Sequence, residues 1–247
     1  MDIKVSDTVG GIVARHPSLA RQFEEAGIDY CCGGGLPLEE ACRKHGVDVT
    51  IFLQALREPA SRSVGEELVD AAAMSLTELA DHVEQTHHAY LKAELPRLRA
   101  MTAKVAAVHG HQDGRLMQVK EVLFALSMEM ACHMAKEESV LFPLIRQLDA
   151  GMGALPLPCG SVDGMVRQME HEHRLAGGAL EQLRKLTDGH KPPVWACNTY
   201  RVMLEALACL ERDMHQHVHK ENNVLFPRAI EADSANQSSR DVARGRP

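Results

Sequence analysis

The sequence predicts an all-α protein in which an antiparallel, up-down four-helix bundle follows a small helical domain. The chain of 247 residues uses much Ala, Leu, Met, Glu and Lys and has few runs of β-branched residues, which favours helices over strands. Beyond residue 75, four long segments place apolar residues three and four positions apart, the spacing of one helix face. Short to medium loops join these segments, as they do in antiparallel bundles.

The chain divides into four regions. Residues 1–58 are expected to form the small helical domain, which the segment DYCCGGGLP interrupts. Residues 59–74 are expected to be a linker, because Pro, Ser and Gly are frequent near its start. The bundle is expected over 75–231. The tail, 232–247, is poor in apolar residues and is expected to be disordered.

The first bundle helix is predicted to begin at the capping-box pattern Ser75-Leu-Thr-Glu78 and to run past Pro96. The other three helices are expected at about 113–147, 162–187 and 194–230. The loops between these three helices contain Gly and Pro and are expected at 149–161 and 187–193.

Composition excludes some classes of partner. The net charge of −7 comes without a basic patch, so a nucleic-acid partner is not expected. The N-terminus MDIKVSDTVGG lacks an apolar signal segment, and no apolar run is long enough to span a membrane. Seven scattered cysteines do not form a disulfide framework. A soluble, cytoplasmic protein is therefore expected.

Two segments repeat the pattern H-x-x-K-E-x-x-V-L-F-P: HMAKEESVLFP at 133–143 and HVHKENNVLFP at 217–227. The repeat extends upstream, where both helices carry the same residue types at spacings of three and four. In the second helix these residues are Leu123, Leu126, Met130, His133, Glu137 and Val140. In the fourth helix they are Leu207, Leu210, Met214, His217, Glu221 and Val224. Such a stripe faces the core of a bundle, so each helix is expected to point one histidine and one glutamate inward.

The other two bundle helices each turn one histidine inward when they are phased in the same way. In the first helix, the apolar face places His88 inward and His87 to the side. In the third helix, it places His173 inward and His171 outward. The apolar residues that define these two faces are Leu91, Leu95, Leu98 and Val105, and Val162, Val166, Met169, Ala176, Leu180 and Leu183. Four histidines and two glutamates are thus expected to meet in the core.

These six side chains predict a metal centre. Burying such groups without partners would cost on the order of several kcal/mol each, so they either satisfy one another or bind metal. The number of these side chains and the duplicated histidine–glutamate pattern favour metal binding over mutual hydrogen bonding. Six ligands exceed a tetrahedral zinc site and suit two metal ions about 3.5–4 Å apart, with Glu137 and Glu221 bridging and the histidines as terminal ligands. Mixed nitrogen and oxygen ligation favours iron over manganese.

Two Fe(II) ions carry more charge than two carboxylates neutralise, which leaves the expected site net positive. Such a site has room for an oxo or hydroxo bridge and for an added small ligand. A ferritin-like oxidation site uses more carboxylates and fewer histidines and is disfavoured. Glu84 lies one turn before His88 and is a candidate for an extra ligand, for a partner of a ligand, or for a carboxylate at the rim of the site.

Four segments carry these candidate ligands or lie beside them: HHAYLKAELPRL, HMAKEESVLFP, MEHEHRLAG and HVHKENNVLFPRA. In form and order they resemble the di-iron "repair of iron centres" proteins, which carry a hemerythrin-like four-helix bundle. The resemblance implies the six iron ligands that helix phasing also selects, namely His88, His133, Glu137, His173, His217 and Glu221. It extends to DTVGGIVARHPSLARQFEEAGIDYCCGGGLPLEEAC, which is similar to the short ScdA-type domain that often precedes this bundle.

The pair Cys31-Cys32, followed by three glycines, is the second candidate site. Adjacent cysteines form a strained disulfide, so two free thiols are expected in the cytosol. Leu36-Pro37 predicts the start of a helix that runs to about Lys44, and thiols near a helix N-terminus have lowered pKa values and are more nucleophilic. The pair is therefore a candidate for reactive thiols, and small residues buried in a tight turn are the alternative.

The other cysteines are expected to be structural, and the other histidines to lie at the surface or beside the ligands. The cysteines are Cys42, Cys132, Cys159, Cys197 and Cys209. The histidines are His16, His45, His82, His109, His111, His171, His190, His215 and His219.

The resemblance implies a di-iron protein of the nitrosative and oxidative stress response. It would bind nitric oxide and repair damaged iron–sulfur clusters by iron donation or nitric oxide removal, with Cys31 and Cys32 capturing nitric oxide or contacting a damaged protein. Reduction of nitric oxide at the site is left open. One alternative is a non-catalytic scavenger of nitric oxide or another diatomic, and another is an iron-responsive sensor. A homodimer would let the N-terminal domain reach the site of a second subunit.

Overall fold

The computed structural model describes residues 3–57, 70–151 and 161–243, with side chains described through residue 236. In these ranges the regular secondary structure is helical, and an isolated antiparallel bridge joins Thr8 to Pro37. Most of the expected linker, the middle of the loop expected at 149–161 with its Cys159, and the last four residues of the tail lie outside the described residues.

The N-terminal domain builds its own core from short helices, α1 Val9–Arg15, α2 Ala20–Glu25, α3 Leu38–His45 and α4 Val49–Arg57. The buried rings of Tyr30 and Phe52 both pack edge to face on Phe23. Helix α3 begins directly after Pro37, close to its predicted start, and ends at Gly46, whose φ of 70° is the left-handed conformation that closes many helices.

Each long bundle helix begins near its predicted position, and three of them contain a π-helical turn. The first consists of α5 Leu76–Val83, a π-helical turn Glu84–His88 and α6 Ala89–His109. The second consists of α7 Arg115–Lys136, a π-helical turn Glu137–Leu141 and α8 Phe142–Asp149. The third is α9 Val162–Leu186. The fourth consists of α10 Asn198–Lys220, a π-helical turn Glu221–Leu225 and α11 Phe226–Ala243.

The packing of these helices confirms the predicted all-α bundle. Helix α6 packs against α7 and α10, and α7 packs against α9. The predicted capping box closes the start of α5: the Glu78 N–H donates to Ser75 Oγ at 3.1 Å, and the Ser75 N–H donates to Glu78 Oε2 at 2.8 Å. Among the residues that the structure describes, none of the helices combines the length and apolar character that a membrane span requires.

The residues that the sequence places on the inward faces are buried, with one exception. Val140 is 38% exposed, so its predicted inward position is wrong. A π-helical turn at this point changes the helical phase in both repeats, and Val224, the counterpart of Val140, is 5% exposed in a turn on which helix α1 packs. Leu141 and Phe142 take the inward positions instead, and both are fully buried.

Two of the π-helical turns end two residues before the prolines of the repeated pattern. Pro143 and Pro227 lack the N–H that would bond to the carbonyl four residues back, and their rings crowd that carbonyl. A turn with the wider i→i+5 spacing accommodates both effects. Such turns are rare inside α-helices and are frequent at functional sites. Each of the three π-helical turns in this chain's described residues contains one candidate metal ligand: His88, Glu137 or Glu221.

The predicted disordered tail begins as helix. Helix α11 runs to Ala243, past the predicted end at residue 230. Ile230 and Ala232 pack against the buried cluster at this end of the bundle, and Asp233 is buried as well. These contacts extend the helix into a segment that its composition alone assigns to disorder.

Candidate metal centre

The six predicted ligands lie together in the middle of the bundle. Each is at most 1% exposed, and they come from four helices: His88, His133, Glu137, His173, His217 and Glu221. They form two groups of four that share both glutamates. One group adds His88 and His217, and the other adds His133 and His173; in each group, one ligand atom from every member lies within 4.8 Å of the others.

Each glutamate faces one histidine of each group. Glu137 Oε2 lies 3.3 Å from His88 Nε2 and 3.2 Å from His133 Nε2. Glu221 Oε2 lies 3.1 Å from His173 Nε2, and Glu221 Oε1 lies 3.1 Å from His217 Nε2. A carboxylate placed between two sets of imidazoles can bridge two metal ions. The arrangement therefore contains two half-sites joined by two carboxylates.

Several atoms of this cluster are buried without a hydrogen bond: His88 Nε2, both carboxylate oxygens of Glu137, Glu221 Oε2 and His217 Nδ1. Leaving a buried donor or acceptor unpaired costs about 1–3 kcal/mol, and more for a charged group. Bound cations would give the carboxylate oxygens and the Nε2 atom their missing partners. The donor set present in this chain therefore fits a pair of metal ions.

Three of the four histidines are oriented by an oxygen at Nδ1. His88 Nδ1 lies 2.9 Å from Glu138 Oε1, His133 Nδ1 lies 2.9 Å from Glu172 Oε2, and His173 Nδ1 lies 2.8 Å from Asn222 Oδ1. A ring that donates its Nδ1 hydrogen to an oxygen presents a bare lone pair at Nε2 when it is neutral. The hydrogen bonds thus select the tautomer that metal ligation needs.

The rings of His133 and His173 face each other in a contact that also favours a bound cation. Their Nε2 atoms lie 3.1 Å apart. With both Nδ1 atoms donating to oxygens, two neutral rings would bring two lone pairs together, which is repulsive unless a cation or a proton lies between them. Either one of these rings is protonated, or the pair is held together by metal.

The charges favour occupation by cations. Burial opposes the charged form of both carboxyls, but facing histidines hold the pKa values of Glu137 and Glu221 below their usual range. Burial also disfavours the charged ring of His133, but the carboxylates of Glu137 and Glu221 outweigh it and raise its pKa to about 9. Incoming metal must therefore displace protons from the ligands.

Aromatic rings from the repeated Leu-Phe-Pro segments cover two of the candidate ligands. Phe142 stacks on His88, with centroids 5.5 Å apart, and Phe226 stacks on His173, with centroids 6.0 Å apart. Both phenylalanines are fully buried. Each repeat thus supplies a carboxylate and, five residues later, a ring that packs on a histidine of another helix.

The sequence did not identify the groups that orient the ligands. Glu138, Glu172 and Asn222 are each the sequence neighbour of a ligand, which is the signal that could have found them. A buried network beside His217 was missed as well. There His87 stacks on His217, and its ring nitrogens lie 2.8 Å from Asp213 Oδ1 and 2.8 Å from Lys220 Nζ.

Glu84 lies outside the cluster. Its Oε2 accepts a hydrogen bond from Arg146 Nη2 at 2.8 Å, and Arg146 also pairs with Asp81. The Glu84 side chain is partly exposed in this ion pair. Of the three roles considered for it, the rim carboxylate fits the structure.

The Cys31-Cys32 pair lies against the bundle beside the metal centre. Cys32 Sγ lies 3.4 Å from the main-chain oxygen of His173, and Asn223 Nδ2 donates to the main-chain oxygens of Tyr30 and Cys31, each at 3.3 Å. Asp29 Oδ1 accepts from both cysteine N–H groups, at 2.9 and 3.0 Å, and from Cys31 Sγ at 3.0 Å. The N-terminal domain is therefore attached to the bundle of its own chain at this point.

The predicted low thiol pKa is wrong for Cys31. The contact with Cys32, burial and the Asp29 carboxylate raise the pKa of Cys31 well above its usual value. Helix α3 begins close to its predicted start, but its first N–H groups, those of Leu38 and Glu39, donate to main-chain oxygens of Asp7 and Val5 and not to the thiols. Cys31 is 5% exposed and Cys32 is partly exposed.

The chain is similar to known proteins in both of its parts. Residues 79–229 match the family described as the Hemerythrin HHE cation binding domain, and residues 5–60 match ScdA_N, a domain of unknown function. The iron-sulfur cluster repair protein YtfE of Edwardsiella ictaluri is 36% identical over 222 residues, which are 90% of this chain and 96% of that protein. The proteins of the same name from Salmonella paratyphi B and Salmonella newport are 32% identical with the same coverage.

Proposed function

We propose a function for this chain from one premise: it belongs to the hemerythrin HHE cation-binding family, through residues 79–229. The cation is iron, with two ions per chain. The protein acts in the response to nitrosative and oxidative stress, and it repairs iron–sulfur clusters that nitric oxide or oxidants have damaged. The names of its relatives, which cover nearly the whole chain, support this role.

One observation carries the proposal: two half-sites share both buried carboxylates and leave ligand atoms unpaired. His88 and His217 would hold one ion, His133 and His173 the other, and Glu137 and Glu221 would bridge them. All four histidines and both carboxylates are needed for two ions, and none is left over. A single tetrahedral zinc would leave at least two of these groups buried without a partner.

The protein side chains hold and shield the metal centre. Bound iron supplies affinity for nitric oxide and the capacity to exchange electrons. Glu138, Glu172 and Asn222 fix the ring orientations of their histidines, and Phe142 and Phe226 keep water from two of the rings. Cys32 lies beside His173 and is partly exposed, so it is the thiol of the pair that meets nitric oxide or a damaged protein. This arrangement needs no second subunit.

A non-catalytic scavenger of nitric oxide is the second candidate. Its support is the burial of all six ligands at 1% exposure or less, which favours retention of iron over its donation. A scavenger would take up nitric oxide once per site and form no product. It would share every residue of the metal centre with the repair protein, so only an assay of turnover or repair separates the two.

The first test combines metal analysis with a repair assay. The full chain is purified without air, its iron per chain is measured, and its absorption spectrum is recorded before and after stoichiometric nitric oxide. It is then mixed with an iron–sulfur enzyme that nitric oxide has inactivated, and the recovered activity is followed. Two irons, a spectral change with nitric oxide and recovery of the enzyme are expected.

The other outcomes are decisive as well. A chain without iron, or with one zinc ion indifferent to nitric oxide, would overturn the metal assignment. Two irons and nitric oxide uptake without enzyme recovery would favour the scavenger. A Cys31→Ser/Cys32→Ser variant that holds both irons and repairs at the normal rate would remove the thiols from the proposal.

A further inference from the structure

Cys197 and His109 form a contact at the end of the bundle far from the metal centre. His109 Nε2 lies 3.2 Å from Cys197 Sγ, and Cys197 is exposed. His109 Nδ1 lies 3.3 Å from Gln112 Oε1. Along α6, 21 residues separate His109 from His88, or roughly 30 Å of helix at 1.5 Å per residue. From the sequence, Cys197 was expected to be structural and His109 to lie at the surface or beside the metal ligands.

The arrangement has the parts of an activated nucleophile. With its Nδ1 hydrogen donated to Gln112, the His109 ring presents the Nε2 lone pair to the thiol. A thiol beside a base that is itself oriented by a third group is the geometry in which a cysteine becomes a reactive thiolate. Gln112 is a positioning residue, and His109 is the base.

The position at the start of α10 acts in the same direction. Cys197 is the N-cap of this helix of 23 residues. The Tyr200 N–H and the contact with His109 lower the pKa of Cys197, and the contacts with Cys197 and Gln112 raise the pKa of His109. Arg115, which lines a cavity together with Tyr200, pairs with both Asp113 and Asp188.

An open cavity of about 560 Å³ adjoins the pair. Trp195 and Tyr200 line it and also pack on the His109 ring, with centroid distances of 5.7 and 6.0 Å. Gln112 lines it too. Its charged lining consists of two acids and two bases: Asp113, Asp188, Arg115 and Lys191. Because Arg115 pairs with both Asp113 and Asp188, the Lys191 ammonium and the two aromatic rings suit a peptide that carries carboxylates.

We propose that Cys197 is a site of thiol–disulfide exchange that takes an anionic peptide disulfide of the glutathione disulfide type. The Cys197 thiolate attacks one sulfur of the disulfide. The sulfur–sulfur bond of the small molecule breaks, a new one joins Cys197 to one half, and the other half leaves as a thiolate that takes the proton from the His109 imidazolium. Cys197 sulfur is oxidised and the leaving sulfur is reduced, so the exchange needs no further reactant.

Cys132 is the internal control for this site. It is also exposed, but it lies in the last turns of α7 and not at a helix N-terminus. The iron-loaded full chain is mixed with glutathione disulfide at neutral pH, and the adducts at the two cysteines are counted over time by peptide mass spectrometry. Cys197 is expected to react at least about threefold faster, because the lowered pKa of Cys197 raises its thiolate fraction at neutral pH more than it lowers the nucleophilicity of each thiolate.

Two variants and a second disulfide test the roles of His109, of the cavity and of Cys197 separately. His109→Gln is expected to bring the Cys197 rate down toward that of Cys132, with iron content and far-UV circular dichroism unchanged. Bis(2-hydroxyethyl) disulfide carries no charge, so its preference for Cys197 over Cys132 is expected to be smaller than that of glutathione disulfide. Trp195 is the only tryptophan of the chain, and its fluorescence is expected to change with the adduct and to stay constant in Cys197→Ser.

The proposal fails on any of three results. If Cys197 reacts no faster than Cys132, Cys197 is not an activated thiol. If the folded His109→Gln variant reacts at Cys197 as fast as the natural chain, His109 does not act as the base for this thiol. Equal preference ratios with the two disulfides would remove the cavity from recognition.

Discussion

Cys32 Sγ lies 3.4 Å from the main-chain oxygen of His173, whose ring points into the metal centre from the other side of the same residue. The N-terminal domain thus touches the bundle at one of the six candidate ligands. Asn223 and Gln216 strengthen the contact, since Asn223 bonds the main chain of Tyr30 and Gln216 Nε2 donates to the Tyr30 hydroxyl at 3.0 Å. A displacement of this domain would therefore change what surrounds the metal centre.

The glycines after the cysteines test this attachment. A Cβ at Gly34 would lie 2.5 Å from the Tyr30 main-chain oxygen and 2.6 Å from Asn223 Oδ1, whereas a Cβ at Gly35 would meet nothing within 4 Å. We expect Gly34→Ala to loosen the contact by about 1–3 kcal/mol and to speed alkylation of buried Cys31 by on the order of tenfold or more. Gly35→Ala is the control, and equal alkylation rates in the two variants would contradict the prediction.

Removal of one bridging carboxylate is expected to cost iron. Glu137→Gln and Glu221→Gln each replace a charged oxygen that faces both half-sites with a neutral amide. We expect iron to fall from two ions per chain to one or none, and thermal stabilisation by iron to fall with it. Glu129→Gln, on the exposed face of α7, is expected to keep both irons. Metal analysis and melting curves with and without chelator measure both effects, and a bridging variant that keeps two irons would rule out the assigned bridge.

The groups that orient the histidines are expected to tune iron affinity. Glu172 holds His133 Nδ1 and also pairs with Lys136, and the contacts with Lys136 and His133 lower its pKa to about 2 in spite of partial burial. Glu172→Gln would weaken the hold on the ring, and we expect iron affinity to fall about 10- to 100-fold in competition with a chelator. Gln168→Ala removes a neighbour that also bonds Glu172 but leaves His133 untouched. A loss as large in this control would assign the effect to general disruption.

A buried carboxylate away from the metal centre sets part of the acid stability. Burial raises the pKa of Glu211, but the hydrogen bond from His190, at 3.0 Å, and the charge of Arg184 lower it below the usual value. A lowered folded-state pKa gives stability that is present above about pH 4.3, the unfolded value, and is lost as the pH falls toward the folded value. We expect Glu211→Gln to unfold about 1–3 kcal/mol more easily at pH 7.

The difference between Glu211→Gln and the natural chain is expected to shrink as the pH falls through this acid range. Urea titrations of the metal-free proteins at several pH values would measure it. A difference that stays constant down to about pH 2 would show that the hydrogen-bond geometry, and not the charge, carries the effect.

Periodicity predicted which residues face the core, but not what they meet there. The stripes of the second and fourth helices identified His133, Glu137, His217 and Glu221, because one helix alone decides which side chains share a face. Their oxygen partners come from other helices, so Glu172 could not be assigned to His133 without knowing how α7 and α9 approach. The exposure of Val140 has a different reason: its counterpart Val224 lies in a turn on which α1 packs, and a helical period does not foresee contacts between distant segments. The pKa of Cys31 was mispredicted although α3 begins close to its predicted start, because the first N–H groups of that helix bond to Asp7 and Val5, which the sequence does not reveal.

The π-helical turns change the relation between the number of residues after a ligand and the direction in which those residues point. One extra residue in a turn rotates all that follows by about 100°, so position along the chain and angle around the helix are no longer in step after Glu137 or Glu221. An unbroken α-helix with the same number of residues would swing Phe142 away from His88 without altering either side chain. The spacing of these segments is thus as much a part of the site as the ligands, and a comparison with a bundle that lacks the turn needs a gap of one residue there.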